Sequence, residues 1–318
     1  MSGMGTFEED PTATLSTLGT CPPYRSFCAH MVASGIELKL HIYPRTTGDS
    51  IGEQSMTVVL SSFAEGTLCQ GCAWTVANEH ELAERIALVA LGQSRHVARI
   101  LSGIKVIPPS TTAAARISAI KLLTVPPGAD PWHRDGWLFQ TMSWLVASQA
   151  NPSALIRAPH MILAHKGFDG LQLELDAATG VVLAAVIFED KATDNPRHTI
   201  KTEVWPEFQM LEKGDRENVL TADVSSLLCT RPEIDPDKAI ENVIWKNVRR
   251  YRISITVDNK YSTATGRKRL FKGYDEIAAG DVSRRRGEVL LLPELRPWMA
   301  SLADQAISFL KEKEMANV

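Results

Sequence analysis

The spacing of apolar residues in the first third of the chain indicates two strands and then a helix. Ile36–Tyr43 and Met56–Ser61 alternate in polarity and are rich in β-branched residues, which is the pattern of strands. From Asn78 the apolar period lengthens to that of a helix, because Leu82 and Ile86 recur four residues apart and Asn78 can cap the first turn. This region is therefore expected to contain both strands and helices.

The apolar pattern after residue 130 predicts a helix followed by a β-hairpin. The helix begins near Asp135, in the segment DGWLFQTMSWLVASQ. The run GFDGLQLELD alternates in polarity, and VVLAAVIFEDKAT is almost continuously apolar, as expected of a central strand covered on both faces. Between these runs, residues 177–180 have the composition of a hairpin turn.

The last third of the chain completes the pattern with a helix, two strands and a final helix. These elements are predicted at about Ile200–Leu228, at residues 248–257, at Glu288–Leu292 and at Arg296–Lys313. In the first of the two strands, the alternation places Arg250 and Arg252 on the face opposite Tyr251. The order helix, hairpin, helix, strand, strand, helix predicts an α/β domain with a mixed sheet.

Proline pairs at residues 108–109 and 126–127 interrupt the chain near its middle. We place the expected domain boundary near residue 125. This division gives an N-terminal α/β region of unknown role over residues 1–125 and a second α/β domain over residues 126–318.

Composition and charge describe an ordinary globular protein with no global attraction to nucleic acid. Of the 318 residues, 44% are hydrophobic and 22% are charged, and the net charge is −3. Any nucleic-acid contact must therefore use a local basic surface. The polar, acidic N-terminus, the lack of an apolar run of about 20 residues and five scattered cysteines predict a cytoplasmic protein without membrane contact.

Three side chains of the predicted hairpin form a candidate catalytic group. Asp169 lies near the start of its first strand, and Glu189 and Lys191 lie at the end of its second. Because side chains alternate along a strand, Glu189 and Lys191 share one face and Asp190 occupies the other. The hairpin brings Asp169 beside Glu189, so two carboxylates converge next to a lysine. Such a pair binds Mg²⁺ or Mn²⁺, which activates water and polarises a phosphate.

The segments GFDG and EDK resemble motifs II and III of the PD-(D/E)xK nuclease superfamily. Asp169 matches the motif aspartate, Glu189 the acidic position and Lys191 the lysine. The upstream segment RDGWLFQTMSWL resembles the first core helix of the family, and Gln140 stands where a glutamate often faces the metals. Phe168 replaces the proline of the family name, and the resemblance covers roughly residues 130–230.

The resemblance implies a restriction-endonuclease-like core and a metal-dependent endonuclease that hydrolyses phosphodiester bonds, with DNA as the expected substrate. The implied catalytic residues are Asp169, Glu189, Lys191 and Gln140. The implied ligands of Mg²⁺ or Mn²⁺ are Asp169, Glu189 and Asp190. The GFDG hairpin is also similar to effectors of bacterial anti-phage systems, including the HamA-like group, which implies a helicase, ATPase or sensor protein as partner.

Other interpretations remain open for these residues. Acidic-x-Lys tripeptides are common by chance, and Asp258-Asn259-Lys260 also ends a predicted strand. The three hairpin residues can be charged strand ends in solvent. A decayed nuclease domain that only binds nucleic acid, or a regulatory protein that binds an acidic partner, would also carry such residues.

Residues 249–286 are a candidate nucleic-acid interface. The segment holds 11 Lys or Arg residues against four acidic ones. Its best candidates for phosphate contact are Arg250, Arg252, Arg267, Lys268 and Arg269. The alternative is a solvated strand face with charged loops.

The cysteines raise the separate possibility of a structural zinc site. Cys69 and Cys72 have ligand spacing, and a second pair at Cys21 and Cys28 with His30 nearby would complete a site. The favoured interpretation is free thiols, because a single CxxC pair is a common accident.

Overall fold

The structure is a computed structural model, and its described residues fall within one compact unit that spans Gly52–Val318. The described residues are 57–163, 167–176, 179, 181–231, 234–237, 239–240 and 248–315. The predicted strand Ile36–Tyr43 lies outside these ranges.

The described residues form a seven-stranded mixed sheet with the strand order β1-β2-β7-β6-β5-β4-β3. Strands β2, β7, β6 and β5 are mutually parallel, whereas β1, β4 and β3 pair antiparallel at the two edges. The strands are β1 (Val58–Ala64), β2 (Gln70–Val76), β3 (Leu155–Ile156), β4 (Gly170–Leu175), β5 (Val182–Lys191), β6 (Arg249–Val257) and β7 (Arg285–Leu291).

Helices pack on both faces of the sheet. The helices that share the apolar core on one face are α1 (Glu79–Ala90), α2 (Ser94–Leu101), α3 (Ala113–Leu123), α4 (Trp132–Ala150) and α10 (Leu295–Met315). Those on the other side are α5 (Pro196–Thr199), a π-helical turn (Ile200–Val204), α6 (Trp205–Lys213), α7 (Glu217–Leu228), α8 (Ala264–Leu270) and α9 (Tyr274–Ile277).

The described residues form two large apolar cores and a smaller apolar cluster of Ala147, Ala184, Val186 and Phe188. Side chains that alternate along the central strands enter different clusters. On β6, Tyr251, Ile253 and Ile255 enter the core with α6 and α7. The alternate residues Arg252 and Ser254 are equally buried but face α4, as their contacts with that helix show. The sheet is covered on both sides, so a polar residue on either face must find its partners inside the protein.

The predicted mixed α/β architecture is confirmed. The hairpin joins β4 to β5, and the elements after residue 130 follow the predicted order, although three helical segments replace the one predicted at Ile200–Leu228. Asn78 caps α1 by accepting a hydrogen bond from the Glu81 N–H at 3.0 Å, as expected. Strands from both sides of residue 125 belong to the same sheet, and that position falls between α3 and α4 of one unit.

Because β5 and β6 are parallel neighbours, their carboxyl ends meet at one edge of the sheet. This edge carries the candidate site residues of the hairpin. Among the described residues, none of the helices has both the length and the apolar character needed to cross a membrane.

Candidate functional site at the carboxyl end of strand β5

The β4–β5 hairpin brings Asp169 next to the end of β5. Gly170 pairs with Phe188 in the antiparallel register, so Asp169, one residue earlier, lies across from Glu189. The Asp190 N–H donates a hydrogen bond of 2.8 Å to Asp169 Oδ2. This bond fixes the Asp169 carboxylate at the strand end, as the hairpin interpretation requires.

Lys191 bridges the two carboxylates of the predicted pair. Its Nζ lies 3.0 Å from Glu189 Oε2 and 3.6 Å from Asp169 Oδ2. One ammonium can reach both only if they lie on the same side of the sheet edge. The predicted arrangement of these three side chains is therefore present.

Gln140 reaches the same carboxylate from the middle of α4. Its Nε2 donates to Asp169 Oδ1 at 2.5 Å. Because the amide nitrogen makes this contact, the amide oxygen is directed elsewhere. Asp169 thus accepts from a helix side chain and from a strand N–H while it faces a lysine, and these contacts together restrict its rotamer.

Asp190 points to the α4 side of the sheet, away from the Lys191 pair. Its Oδ1 accepts a hydrogen bond of 2.7 Å from Ser143, whose hydroxyl also lies 3.4 Å from the hydroxyl of Ser254. The carboxylates that lie together are consequently Asp169 and Glu189. Asp190, also expected to be a metal ligand, contributes its backbone N–H to Asp169.

Burial and crowding of carboxylates shift the protonation of this cluster. Burial, reinforced by the charge of Asp169, raises the pKa of Glu189 to about 8, although Lys191 opposes the rise. Burial also raises the pKa of Asp190 to about 7, with Asp169 adding to the shift and Arg252 opposing it. Burial lowers the pKa of Lys191, but Glu189 and Asp169 outweigh that effect and raise it overall. All three pKa values are raised, so the cluster favours additional positive charge.

A cleft of about 380 Å³ opens next to this cluster, between α4 and the end of β5. We call it the α4 cleft. Its lining includes Gln140, Asp169, Lys191, Thr199, Glu203 and Arg296. A substrate held there would have both a carboxylate and the lysine within reach.

The sequence pattern did not single out several residues that build this site. Glu203 lies on the π-helical turn, a feature often found at functional sites, and its charge adds to the rise in the pKa of Lys191. Arg157 donates to the Phe168 carbonyl and pairs with Asp223 of α7, which anchors the segment before Asp169. Ser143 lies one helical turn after Gln140, and that spacing is the one signal that could have pointed to it.

The donor set suits a hard divalent cation. In the described part of the chain, no group of three or more His, Cys, Asp or Glu side chains is arranged as a metal site. Mg²⁺, however, is commonly held by only one or two carboxylates together with water and substrate phosphate. Asp169 and Glu189 supply two, and they already share one cation, the ammonium of Lys191.

Three of the five candidate phosphate-binding residues form ion pairs, and Arg252 and Arg267 are the less exposed of the three. Arg252 is 2% exposed, pairs with Glu288 at 2.5 Å and lies 4.4 Å from the Phe188 ring centre. Its expected role at a nucleic-acid interface is therefore wrong, because no surface ligand can reach it. Arg267 pairs with the buried carboxylate of Glu65 at 2.7 Å.

The other three candidates are more exposed than Arg252 and Arg267. Arg250 is partly buried and pairs with Glu174 at 2.9 Å. Lys268 and Arg269 are exposed on α8. Arg197 of α5 donates at 2.9 Å to the Leu270 carbonyl, so the end of α8 adjoins the helix that follows the site. We call Lys268 and Arg269 the α8 basic pair.

The described cysteines do not form half of a zinc site. Cys69 packs in the core with α6 and α7, whereas Cys72 packs against the core with α4. Two thiols that enter cores on opposite faces of the sheet cannot bind the same ion. Burial, with the charge of Glu65, raises the pKa of Cys69 to about 12, which disfavours the thiolate that zinc requires. Cys21, Cys28 and His30 lie outside the described residues.

Comparison of the chain with models of protein families, with curated protein sequences and with solved structures finds no match in any of the three. The class of protein is therefore described from its own fold and site. It is a mixed α/β protein with a partly buried Asp–Glu–Lys cluster at the carboxyl edge of its parallel strands.

Proposed function

We propose that this protein is a metal-dependent endonuclease of the PD-(D/E)xK type, built on a restriction-endonuclease-like core, that hydrolyses phosphodiester bonds in DNA. One observation carries the proposal. Asp169, Glu189 and Lys191 converge at the end of one hairpin, and Gln140 contacts Asp169 from the preceding helix. Charged residues placed at strand ends only for solubility would be exposed, whereas here Glu189 is buried and Asp169 and Lys191 are partly buried and bonded to it or to each other.

In this proposal, Asp169 and Glu189 hold Mg²⁺ or Mn²⁺. When bound, such an ion polarises the phosphate and lowers the pKa of a coordinated water. Lys191 orients the attacking water and offsets the negative charge that grows on the phosphate in the transition state. Gln140 and the Asp190 N–H keep the Asp169 carboxylate in place, so the site needs little reorganisation.

The biological role that we propose is that of an effector in bacterial anti-phage defence, acting with a helicase, ATPase or sensor protein. It rests on the resemblance of the hairpin to effectors of that kind. A net charge of −3 gives the protein no long-range attraction to DNA. A partner that binds DNA and brings it to the cleft would supply the missing attraction.

Cleavage assays with purified protein test the enzymatic proposal. Supercoiled and linear DNA are incubated with Mg²⁺, with Mn²⁺ or with EDTA, and product is quantified over time. Cleavage is expected with either metal and none with EDTA. Asp169→Ala and Lys191→Ala should each reduce the rate by at least about 100-fold, because each removes a group that acts in the transition state.

Matched substitutions separate catalysis from folding. Asp258→Ala removes the acidic residue of the second acidic-x-Lys tripeptide, and Lys121→Ala removes an exposed lysine of α3. Both are expected to cleave at the wild-type rate. Full activity in Asp169→Ala or Lys191→Ala would overturn the assignment, whereas metal-independent DNA binding without cleavage would favour a decayed, nucleic-acid-binding domain.

A further inference from the structure

Trp132 is exposed beside the catalytic cluster. Its side chain is 60% exposed, whereas Trp74, Trp137, Trp144 and Trp205 are between 2% and 6% exposed. It lines the α4 cleft together with Asp169 and Lys191. An indole left open to water at such a position has a large flat face available to a ligand.

Trp132 lies on the same stripe of α4 as Gln140, which contacts Asp169. Trp132, Gly136 and Gln140 follow each other at intervals of four residues, and all three line the α4 cleft. Eight residues of helix cover about 12 Å, which is roughly the length of three or four stacked nucleotides at 3.4 Å each. A strand cleaved at Asp169 would therefore present a base a few nucleotides away to Trp132.

Gly136 leaves the helix surface between Trp132 and Gln140 without a side chain. A methyl group added at Gly136 would meet no atom within 4 Å, so packing does not require glycine there. Glycine inside a helix is unfavourable relative to alanine. Its presence leaves the helix backbone open along the path from Trp132 to Gln140.

The other groups at this end of the cleft also suit a flat ring. The His133 ring lies 5.2 Å from the Trp132 ring, tilted by 47°. Ile162, which is 70% exposed, also lines the cleft. These aromatic and aliphatic surfaces match a nucleobase face better than a phosphate.

We propose that Trp132 stacks on an unpaired nucleobase, so that the substrate of the α4 cleft is single-stranded nucleic acid or a single-stranded segment of a longer molecule. This inference rests on the proposed nuclease function and specifies its substrate class. In a duplex both faces of an internal base are covered by its neighbours, and only an unpaired base can place a face on an indole. Base–aromatic stacking accepts every base, so no sequence preference is expected.

Binding of oligonucleotides tests this inference separately from cleavage. The full chain carrying Asp169→Asn is titrated with a labelled single strand of about 16 nucleotides and with the same sequence as a duplex. The single strand is expected to bind more tightly, and Trp132→Ala to weaken it by roughly 5- to 150-fold. Trp132→Phe should recover most of the affinity because it restores an aromatic face. Trp132→Ala should change duplex binding little.

Ile117→Ala is the matched control. Ile117 is an exposed apolar residue of α3, 68% exposed, and its removal should leave binding unchanged. A single strand that binds Trp132→Ala as tightly as the parent protein, or a duplex that depends equally on Trp132, would overturn the inference. Cleavage that proceeds normally in a Trp132→Ala protein with native Asp169 would overturn it while leaving the nuclease proposal intact. Trp132-dependent binding by a chain that never cleaves would sustain it and refute only the enzymatic proposal.

Discussion

Glu189 and Asp190 are adjacent in sequence but are buried on opposite sides of β5. Glu189 faces Lys191, and Asp190 faces Ser143 of α4. Burial raises the pKa of each, to about 8 for Glu189 and to about 7 for Asp190. Both carboxyl groups therefore keep their protons to higher pH than exposed carboxyl groups do. A divalent cation held by Asp169 and Glu189 would favour the ionised form of Glu189.

Stability without metal is expected to fall as pH rises. A carboxyl group whose pKa is higher in the folded than in the unfolded state keeps its proton longer when folded, so folding weakens as pH increases between the two values. For Glu189 this window runs from 4.5 to about 8, and for Asp190 from 3.8 to about 7. Glu189→Gln should raise the melting temperature at pH 8 and flatten its dependence on pH. Each kcal/mol gained corresponds to roughly 2–4 °C.

Thermal melts between pH 5 and pH 8, with EDTA and with Mg²⁺, measure this effect. Mg²⁺ should raise the melting temperature most at pH 8, because the ligands are then easiest to deprotonate. Glu312→Gln, an exposed carboxylate of α10, is the matched control and should not alter the profile. A melting temperature of the EDTA sample that climbs from pH 5 to pH 8 would contradict the assigned protonation.

The placement of a residue was predictable where backbone alternation alone decided it, as for Lys191 and Glu189. It was not predictable for Arg252, whose alternating strand indicates a half-exposed face. Since β6 lies between β5 and β7 and under α4, that face is buried too, and Arg252 is matched there by Glu288, 36 residues away. Such a partner cannot be identified from local sequence.

The β4–β5 hairpin is the element that the sequence predicted best. Its alternating first strand lies toward the edge of the sheet, and its apolar second strand lies nearer the centre. The second glycine of GFDG has a packing reason, since a Cβ added to Gly170 would lie 2.5 Å from Phe188 Cδ2. The close approach of Phe188 to this backbone sets the hairpin, and with it the position of Asp169.

Gly170→Ala is therefore expected to destabilise the protein by roughly 1–3 kcal/mol through overpacking and to lower cleavage. Unfolding in denaturant gives the first quantity and the cleavage rate the second. The same change at Gly136, where an added methyl group meets nothing, should leave stability equal or slightly higher. If Gly170→Ala were as stable and as active as wild type, the contact with Phe188 would not be what positions Asp169.

Other elements were harder to place from local pattern. The helix α4 begins at Trp132, before the predicted start, because Asp130 accepts the Trp132 N–H at 3.0 Å and starts the first turn early. Strand β2 has a short, mixed run of residues and no clear alternation. It is fixed by pairing with β7, where a Cβ added to Gly71 would lie 1.6 Å from the Gly287 carbonyl oxygen. A Cβ added to Gly287 would instead lie 2.7 Å from the Phe271 ring.

At the scale of the whole molecule, the strand order is the property that sequence could not supply. β2 pairs with β7, more than 200 residues later, and β7 with β6. Long-range parallel pairing depends on which faces the helices cover, and no short segment encodes it. The result places the carboxyl ends of β5 and β6 side by side, so the candidate catalytic group and the loop leading to α8 share one edge.

Exposure determines which basic side chains near this edge are available to the proposed nucleic-acid substrate. The net charge of −3 leaves binding to local surfaces, and of the three consecutive basic residues on α8 only Lys268 and Arg269 are exposed. Arg267 is held by the buried carboxylate of Glu65 and lies 4.3 Å from the Phe63 ring centre. The α8 basic pair and Arg267 should therefore respond differently to substitution.

We expect the double change Lys268→Ala and Arg269→Ala to weaken nucleic-acid binding without affecting stability. Removing one phosphate-binding side chain should lower the slope of log affinity against log salt by about 0.7 on a single strand or 0.9 on a duplex. Arg267→Ala should instead cost about 3–5 kcal/mol of stability, because it leaves Glu65 buried without its partner. Affinity measured at several salt concentrations, with melts of each variant, separates the two effects. An unchanged slope in the double variant would place the DNA path away from α8. Arg250 would then be the next cation to test, since its ion pair with Glu174 is partly exposed.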